Sequence, residues 1–469
     1  MSKKTTFGVI VGNRGFFPDH LVDTGRKDML SVLAKQGYEA ICLTPEDTKF
    51  GSVESRADIK KCVDLFKQHR EEIDGIIVTL PNFGDERGVA ETIKGAGLNV
   101  PVLIQATPDD PAKMTLADRR DGFCGKMSVC NNLAQYGIKY TLTSLHCSAP
   151  DSCSFIGDLN RFAATCRVVK GLTGLRIGAI GARPAAFNTV RYSEKILQAN
   201  GITVEVVDLS EIFGKIQKLD DDAAEVKARF DTIRNYVNTS ETPDYAITRM
   251  AKLLFAVEEW IAANEVDITA FQCWQSVEEY LGIVPCGVMS IINNRLTPCG
   301  CEVDVTGAIG MYSLTLASGV ASALLDWNNN YADDPDKCVL FHCSAVPKDC
   351  FANVEMDEQD ILAGTVGWGN THGACVGRIK SGPFTYARTT TNDEWGTISC
   401  YVGEGAFTDD PLDTFGGAGV IQIPNLQTLL QYICNNGFEH HVAIAHSQVG
   451  AAIEEAWSNY LGWDVYKHS

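Results

Sequence analysis

The chain has 469 residues, 45% hydrophobic and 21% charged, and carries a formal net charge of −19. That length leaves room for about three domains at ~150 residues each. The strongly acidic balance argues against nucleic acid and against an anionic membrane surface as partners, since both need a basic face.

The first third alternates strand and helix patterns. TTFGVIVG predicts a strand, and DTGRKDMLSVLAKQG predicts a helix capped at Asp23-Thr24 and stopped at Gly37. YEAICL, DGIIVTL and PVLIQA predict further strands. Helices are expected between them, from about Ser55 to Arg70 and near Gly88 to Gly97. Short β-rich runs separated by amphipathic helices imply parallel βαβ units. Ligands in such sheets bind at the carboxyl ends of strands. Those tips are Gly12-Asn13-Arg14-Gly15-Phe16-Phe17 and Pro81-Asn82-Phe83-Gly84-Asp85.

A second α/β series begins near residue 170. LRIGAIG, ITVEVVD and DITAFQ predict strands, the last ending at Cys273-Trp274-Gln275. AFNTVRYSEKILQANG predicts a helix, and residues 209–265 read as mostly helical, charged and solvated. The acidic, turn-rich NNNYADDPDK predicts a linker. Beyond it, CVLFHCSAV, GTVGW, GPFTYARTTT, TISCYVGEGAF and GAGVIQI predict a mostly antiparallel domain, closed by helices at about Leu426–Cys434 and Gln448–Leu461. The fold class expected is α/β: two parallel-sheet βαβ domains, 1–170 and 171–335, followed by a β-rich C-terminal domain, 336–469.

Seventeen cysteines lie scattered through apolar contexts, and no N-terminal apolar run resembles a signal peptide. Reduced thiols in a cytoplasmic protein are expected. Cys299-Gly300-Cys301 and Cys338…Cys343 lack the paired spacing of a structural zinc site. No apolar stretch reaches the ~18 residues of a transmembrane helix.

Chemistry is concentrated in the segment from Glu302 to Asp326. The only other ionisable carboxylate within it is Asp304, and the remainder reads as a buried helix and then a buried strand. A carboxylate at either end of so apolar a passage is costly unless a metal ion or substrate offsets its charge. Taken singly, Glu302 also fits a helix N-terminus and Asp326 a strand-end turn. The run Glu439-His440-His441 offers imidazole nitrogens, although either histidine also fits a satisfied core or solvent position. Two carboxylates and a histidine make a site for Mn, Mg or Fe. Converting an aldose to a ketose needs a base beside a carbonyl and a Lewis acid to stabilise the enediolate. Glu302 and Asp326 suit both roles.

Other candidates are tip and loop residues. Arg14, Phe16 and Asn82 sit on the first tips, Trp274 and Gln275 on a later one, with Glu278 just beyond. Aromatic rings suit stacking on a sugar, and Asn and Arg suit its hydroxyls. Arg388 and His372 lie in the β-rich region, where each fits a structural ion pair as well as a ligand contact. The turn GAIGAR lacks the spacing of a dinucleotide fingerprint, and no P-loop, HExxH or GxSxG is present.

The runs FQCWQSVEEYLGIVPCGVMSIINN, TPCGCEVDVTGAIGMYSLTLASGVASALLDWNN and GFEHHVAIAHSQVGAAIEEAWSNYLGW resemble the L-fucose isomerase and L-arabinose isomerase superfamily. The resemblance implies two α/β domains and a β-rich third, assembled as trimers or hexamers with sites between subunits. It implies a divalent metal, typically manganese, held by Glu302, Asp326 and one of His440 and His441. Shorter than the fucose isomerases and different at its N-terminal tips, the chain is expected to be a metal-dependent aldose–ketose isomerase for a deoxy, pentose or C6-substituted sugar. A non-catalytic sugar-binding or regulatory protein is the alternative, since two α/β domains alone would fit it.

Overall fold

The computed structural model describes residues 4–469. The chain divides into two compact units. One runs up to Lys170 and takes back Glu455–Gly462; the other comprises Gly171–Glu454 and Trp463–Ser469.

The first unit is built on a parallel five-stranded sheet, in the order Glu39–Cys42, Thr6–Val11, Gly75–Leu80, Val102–Ala106, Thr141–Leu142. The three middle strands are buried along their whole length. Both faces are covered, which is why they read as unbroken apolar runs rather than as alternation. Val9, Val11, Ile77 and Leu103 pack into one core, and Ile10, Ile76, Val78 and Ile104 into another. This is the period-2 division of a strand between its two faces. Helix Arg56–Gln68 starts on a capping box between Ser55 and Asp58. Helix Glu86–Ala96 is capped by Asp85, whose Oδ1 accepts from the Gly88 amide at 2.7 Å. The first helix, His20–Lys35, begins three residues before the expected Asp23-Thr24 cap, so Asp23 lies in its first turn, where a negative charge favours the helix dipole.

The second unit contains a parallel four-stranded sheet, Thr203–Val207, Arg176–Ile180, Ile268–Phe271, Cys299–Gly300. It also contains a mostly antiparallel nine-stranded sheet. The α/β-plus-β-rich class is therefore present. Five local expectations change. Residues 186–201 form only a 3-10 turn, Asn188–Val190, and a short helix, Glu194–Ala199; Asn, Thr, Val and Tyr are poor helix formers there. Helix Asp244–Ala263 is largely buried through Ile247, Met250, Leu254 and Val257 instead of solvated. GTVGW is not a strand. Its first residues end helix Asp360–Val366, which the Gln359 side chain caps at the Leu362 amide. The anticipated linker is a hairpin: strand Ser322–Asn330 continues through the asparagines and pairs with Lys337–His342. The final helix, Gly450–Glu454, passes into a π-helical turn at Glu455–Tyr460. Among the described residues no helix is long and apolar enough to cross a membrane.

Candidate active site

Strand register brings the first pair together. Ser322–Asn330 and His441–Ala445 are antiparallel neighbours, with Asp326 directly opposite His441. Residues so paired share a face. His441 Nε2 lies 3.4 Å from Asp326 Oδ1, and His440 Nε2 lies 3.6 Å from the same oxygen. The two histidines differ in setting: the His441 side chain is 1% exposed and that of His440 41%.

Glu302 arrives from another element. Parallel pairing of Cys299–Gly300 with Ile268–Phe271 delivers the chain to a 3-10 turn, Cys301–Val303. There Glu302 and Val303 both adopt left-handed backbone conformations, with φ of 53° and 58°. Such conformations cost of order 1–3 kcal/mol each and persist where the surroundings enforce them, often at functional sites. Asp304 then caps the helix Val305–Ser318, its Oδ1 accepting from the Gly307 amide at 2.8 Å. Glu302 Oε2 stands 3.7 Å from His441 Nε2 and 3.8 Å from His342 Nε2. The Trp274 indole Nε1 donates to Glu302 Oε1 at 3.2 Å.

A buried ion network fixes this group from behind. His441 Nδ1 donates to Asp304 Oδ2 at 2.8 Å. Asp304 in turn accepts from both Nη1 and Nη2 of Arg388, and Arg388 Nε donates to Glu439 Oε2 at 3.1 Å. Burial alone would push the Asp304 carboxyl up; the Arg388 guanidinium and the His441 bond hold it well below the usual carboxylate range. A carboxylate on Nδ1 sets the tautomer that leaves the Nε2 lone pair facing Glu302 and Asp326. Burial drives the Glu302 pKa up, with partial relief from His342 and His441. His441 is raised, Asp304 outweighing burial. His440 is lowered by burial and by the neighbouring His441 charge.

Of the residues singled out in the sequence, Glu302, Asp326, His440, His441 and Trp274 come together here. Gln275 stands at the start of the short helix Ser276–Leu281. Glu278, in that helix, is buried, its carboxyl oxygens have no hydrogen-bond partner among the described residues, and burial pushes it up to about 8. Of its two readings Arg388 takes the structural ion pair, not the sugar contact. It is fully buried, and its guanidinium is occupied by Asp304, Glu439 and Thr306. His372 opens strand His372–Ile379 and faces Glu358, at 3.9 Å, and Tyr245 rather than the Glu302 group. Arg14, Phe16 and Asn82 belong to the first unit. There Arg14 pairs with Glu86 and lies 4.4 Å over the Phe83 ring. Asn82 is buried and donates to Asn13 Oδ1 at 2.9 Å, while Phe16 is 81% exposed.

Three contributors were not anticipated: Asp304, His342 and Phe187. The Phe187 ring lies 5.3 Å from His440, 5.8 Å from His441 and 5.9 Å from Trp274, forming an aromatic wall. It comes from the stretch read as helix, so no periodicity marked it.

The donor chemistry fits a divalent cation. Glu302, His342 and His441 place ligand atoms within 4.8 Å of one another, as do Asp326, His440 and His441. Glu302 Oε2 and Asp326 Oδ1 are both buried without a hydrogen-bond partner among the described residues. Orphaned carboxylate oxygens beside an oriented imidazole are costly unless a cation takes them up.

Two family models match the chain: "Fucose/sulfoquinovose isomerase, N-terminal domain" over residues 8–173 and "L-fucose isomerase, C-terminal domain" over 340–469. The chain belongs to the fucose isomerase-like family. It is similar to the sulfoquinovose isomerase of Priestia aryabhattai, 27% identical over 197 residues, which is 42% of this chain and 44% of the relative. It is also similar to those of Alkalicoccus urumqiensis, 24% over 309 residues, and Clostridium sp. (strain MSTE9), 23% over 312. Each of these two alignments covers 64% of this chain and 66% of the relative. The chain thus spans under half of the first relative's length and just under two thirds of the others'. His342, Arg388, Glu439, His440 and His441 fall inside the C-terminal match, while Glu302 and Asp326 lie between the two matches.

Proposed function

We propose that the protein is a metal-dependent aldose–ketose isomerase whose working group is Glu302, Asp326 and His441. The observation that carries this reading is their convergence from three elements, with Glu302 Oε2 and Asp326 Oδ1 lacking a hydrogen-bond partner among the described residues and His441 locked by Asp304. Glu302, Asp326 and His441 would hold the cation, and His342 and His440 flank it. A mixed oxygen and nitrogen set favours Mn²⁺. When bound, the cation supplies Lewis-acid stabilisation of negative charge on adjacent sugar oxygens. Everything else falls to the chain. One of the two carboxylates takes the proton from the carbon beside the carbonyl and one returns it to the former carbonyl carbon, while the hydroxyl proton of the deprotonated carbon passes to the former carbonyl oxygen. Trp274 holds Glu302 in position through Oε1, leaving Oε2 free to act. Asp304 and Arg388 keep His441 facing the pair. Phe187 and Trp274 offer rings against which a sugar can lie and from which water is excluded.

The substrate class is a free aldose. Sulfoquinovose, named for the similar proteins, heads the panel, followed by deoxyhexoses and pentoses. The test is ketose formation from each aldose by chelated protein with and without added Mn²⁺. Isomerisation that appears only on metal return is expected. Sugar binding without turnover would favour a binding protein instead, and full activity without metal would refute the reading. The protein is also proposed to assemble into trimers or hexamers. Support comes from the exposed Phe16 beside Arg14 and Phe83 at the first unit's strand tips, an aromatic surface of the kind that interfaces use. Light scattering should give a mass of at least three chains; a fully active monomer would remove this part.

A further inference from the structure

Two buried thiols stand beside Glu302 and have no part in the proposed isomerisation. Cys273 follows strand Ile268–Phe271, and Cys301 follows strand Cys299–Gly300. The strands are parallel neighbours, with Thr269 opposite Cys299 and Ala270 opposite Gly300. Both strands therefore run out at the same, carboxyl end of the sheet, and the cysteines emerge side by side, 28 residues apart in sequence. Their sulfurs and a Glu302 carboxylate oxygen all lie within 4.8 Å of one another. The three side chains are buried, Cys273 to 3%, Cys301 to 2% and Glu302 to 5% exposure. Trp274 occupies Glu302 Oε1, so Oε2 is the oxygen without a hydrogen-bond partner among the described residues. Scanning for CxxC pairs misses such a cluster, because parallel pairing rather than chain proximity assembles it.

We propose that Cys273, Cys301 and Glu302 form a sulfur-rich site for a soft divalent cation, Zn²⁺ or Cd²⁺, that competes for Glu302 with the Glu302–Asp326–His441 group. Thiolate donors select soft ions, whereas Mn²⁺ prefers oxygen and nitrogen. Zinc–sulfur bonds of about 2.3 Å in tetrahedral geometry set donors roughly 3.7 Å apart, which small rotations of these side chains reach. Binding forms two metal–sulfur bonds and one metal–oxygen bond and releases the two thiol protons to solvent, with no change of oxidation state. Glu302 serves one cation at a time, so occupation of the sulfur-rich site withdraws a ligand and a proton-transfer group from the other.

The test is a Cd²⁺ titration of the metal-free full-length protein, followed by its ultraviolet thiolate-to-cadmium charge-transfer absorption, in wild type, Cys273→Ser and Cys301→Ser. Exposed Cys124, Cys153 and Cys434 add a background, so the difference between wild type and variant is what counts. One additional equivalent with thiolate absorption is expected in wild type. Its apparent Kd should rise by at least the roughly 10–100-fold that loss of even an outer partner brings. In a second arm, Cd²⁺ is added to Mn²⁺-loaded protein and free Mn²⁺ is followed by its electron spin resonance signal. Release is expected from wild type and to be diminished in Cys273→Ser, whose Mn²⁺-supported turnover should stay normal. Neither the titration nor Mn²⁺ release needs a substrate, so their outcome is separate from that of the isomerase assay. Equal cadmium equivalents and absorption in wild type and both variants would overturn the proposal, as would Mn²⁺ release unchanged in Cys273→Ser. A variant that misfolds by circular dichroism leaves the other to decide. Should both misfold, Cd²⁺ titration of wild type decides: absence of any thiolate absorption after alkylation of the exposed cysteines overturns the site.

Discussion

His441 donates from Nδ1 to Asp304 Oδ2 at 2.8 Å and thereby points Nε2 at the oxygens of Glu302 and Asp326. His440, one residue earlier, is partly exposed and meets the Asp326 carboxylate from the side of the Phe187 ring. If Asp304 orients the histidine ligand, Asp304→Asn should weaken Mn²⁺ binding by roughly 10–100-fold, the usual effect of an outer partner on metal affinity. Calorimetric titration of Mn²⁺ into the two proteins measures it. Equal affinities, with both folded, would show that the bond is only structural.

Glu302 and Asp326 bear the proton transfer in the proposed mechanism. Glu302→Gln and Asp326→Asn each preserve shape and remove the base. Turnover should fall by ~10²–10⁴-fold, the range that a positioned general base supplies. Steady-state rates at saturating Mn²⁺ check this, with circular dichroism to confirm folding. A near-normal rate in either variant would strip that residue of its role.

Arg388 offers a contrasting test, since its effect should fall on stability first. It is 0% exposed and pairs with two carboxylates, Asp304 and Glu439, themselves buried. Arg388→Met fits the space but leaves both charges uncompensated. Breaking a buried pair by removing one partner costs of order 3–5 kcal/mol. Urea unfolding should show a midpoint lowered to match. Arg388→Met with wild-type stability would mean that Asp304 and Glu439 are neutral in the fold.

The parallel sheet of the first unit was readable because its strands are continuous apolar runs between amphipathic helices. The helix-then-strand reading of residues 302–326 also matches Val305–Ser318 and Ser322–Asn330. Glu302 and Asp326 stood out because buried charge is expensive, and the same reasoning was available for Asp304, which is buried more completely than either. What hid its role was distance: its partners Arg388 and His441 lie 84 and 137 residues away. His342 was hidden likewise, since a lone histidine at the end of an apolar strand has no periodic signature. For Arg388 the ion pair and the sugar contact both stayed open, because sequence shows a charge but not what neutralises it; Asp304 and Glu439 do so here. The loop holding Phe187 was misread because its short helix, Glu194–Ala199, lent a helical pattern to residues that stay irregular.

His446 provides a pH-dependent check that avoids the metal-binding group. It follows strand His441–Ala445, its ring lies 5.3 Å from Phe407, and its Nε2 is buried with no hydrogen-bond partner among the described residues. Burial, aided by the nearby Lys380 charge, pushes its pKa down to about 4; carbonyls of Cys350 and Pro383 resist only weakly. An unfolded histidine titrates near 6.5. The folded value is the lower one, so the unfolded chain takes up the proton first. The contribution of neutral His446 is therefore complete above about pH 6.5. It is lost as pH falls from there towards about 4, and below that it changes no further. Linkage sets its size at roughly 2–3 kcal/mol between pH 7 and 4.5. Urea unfolding of wild type and His446→Gln at both pH values isolates it, because all other titrating groups are common to the two proteins. Wild type should lose more stability on acidification than the variant, by that amount. Parallel losses would show that His446 is protonated as readily in the fold as out of it.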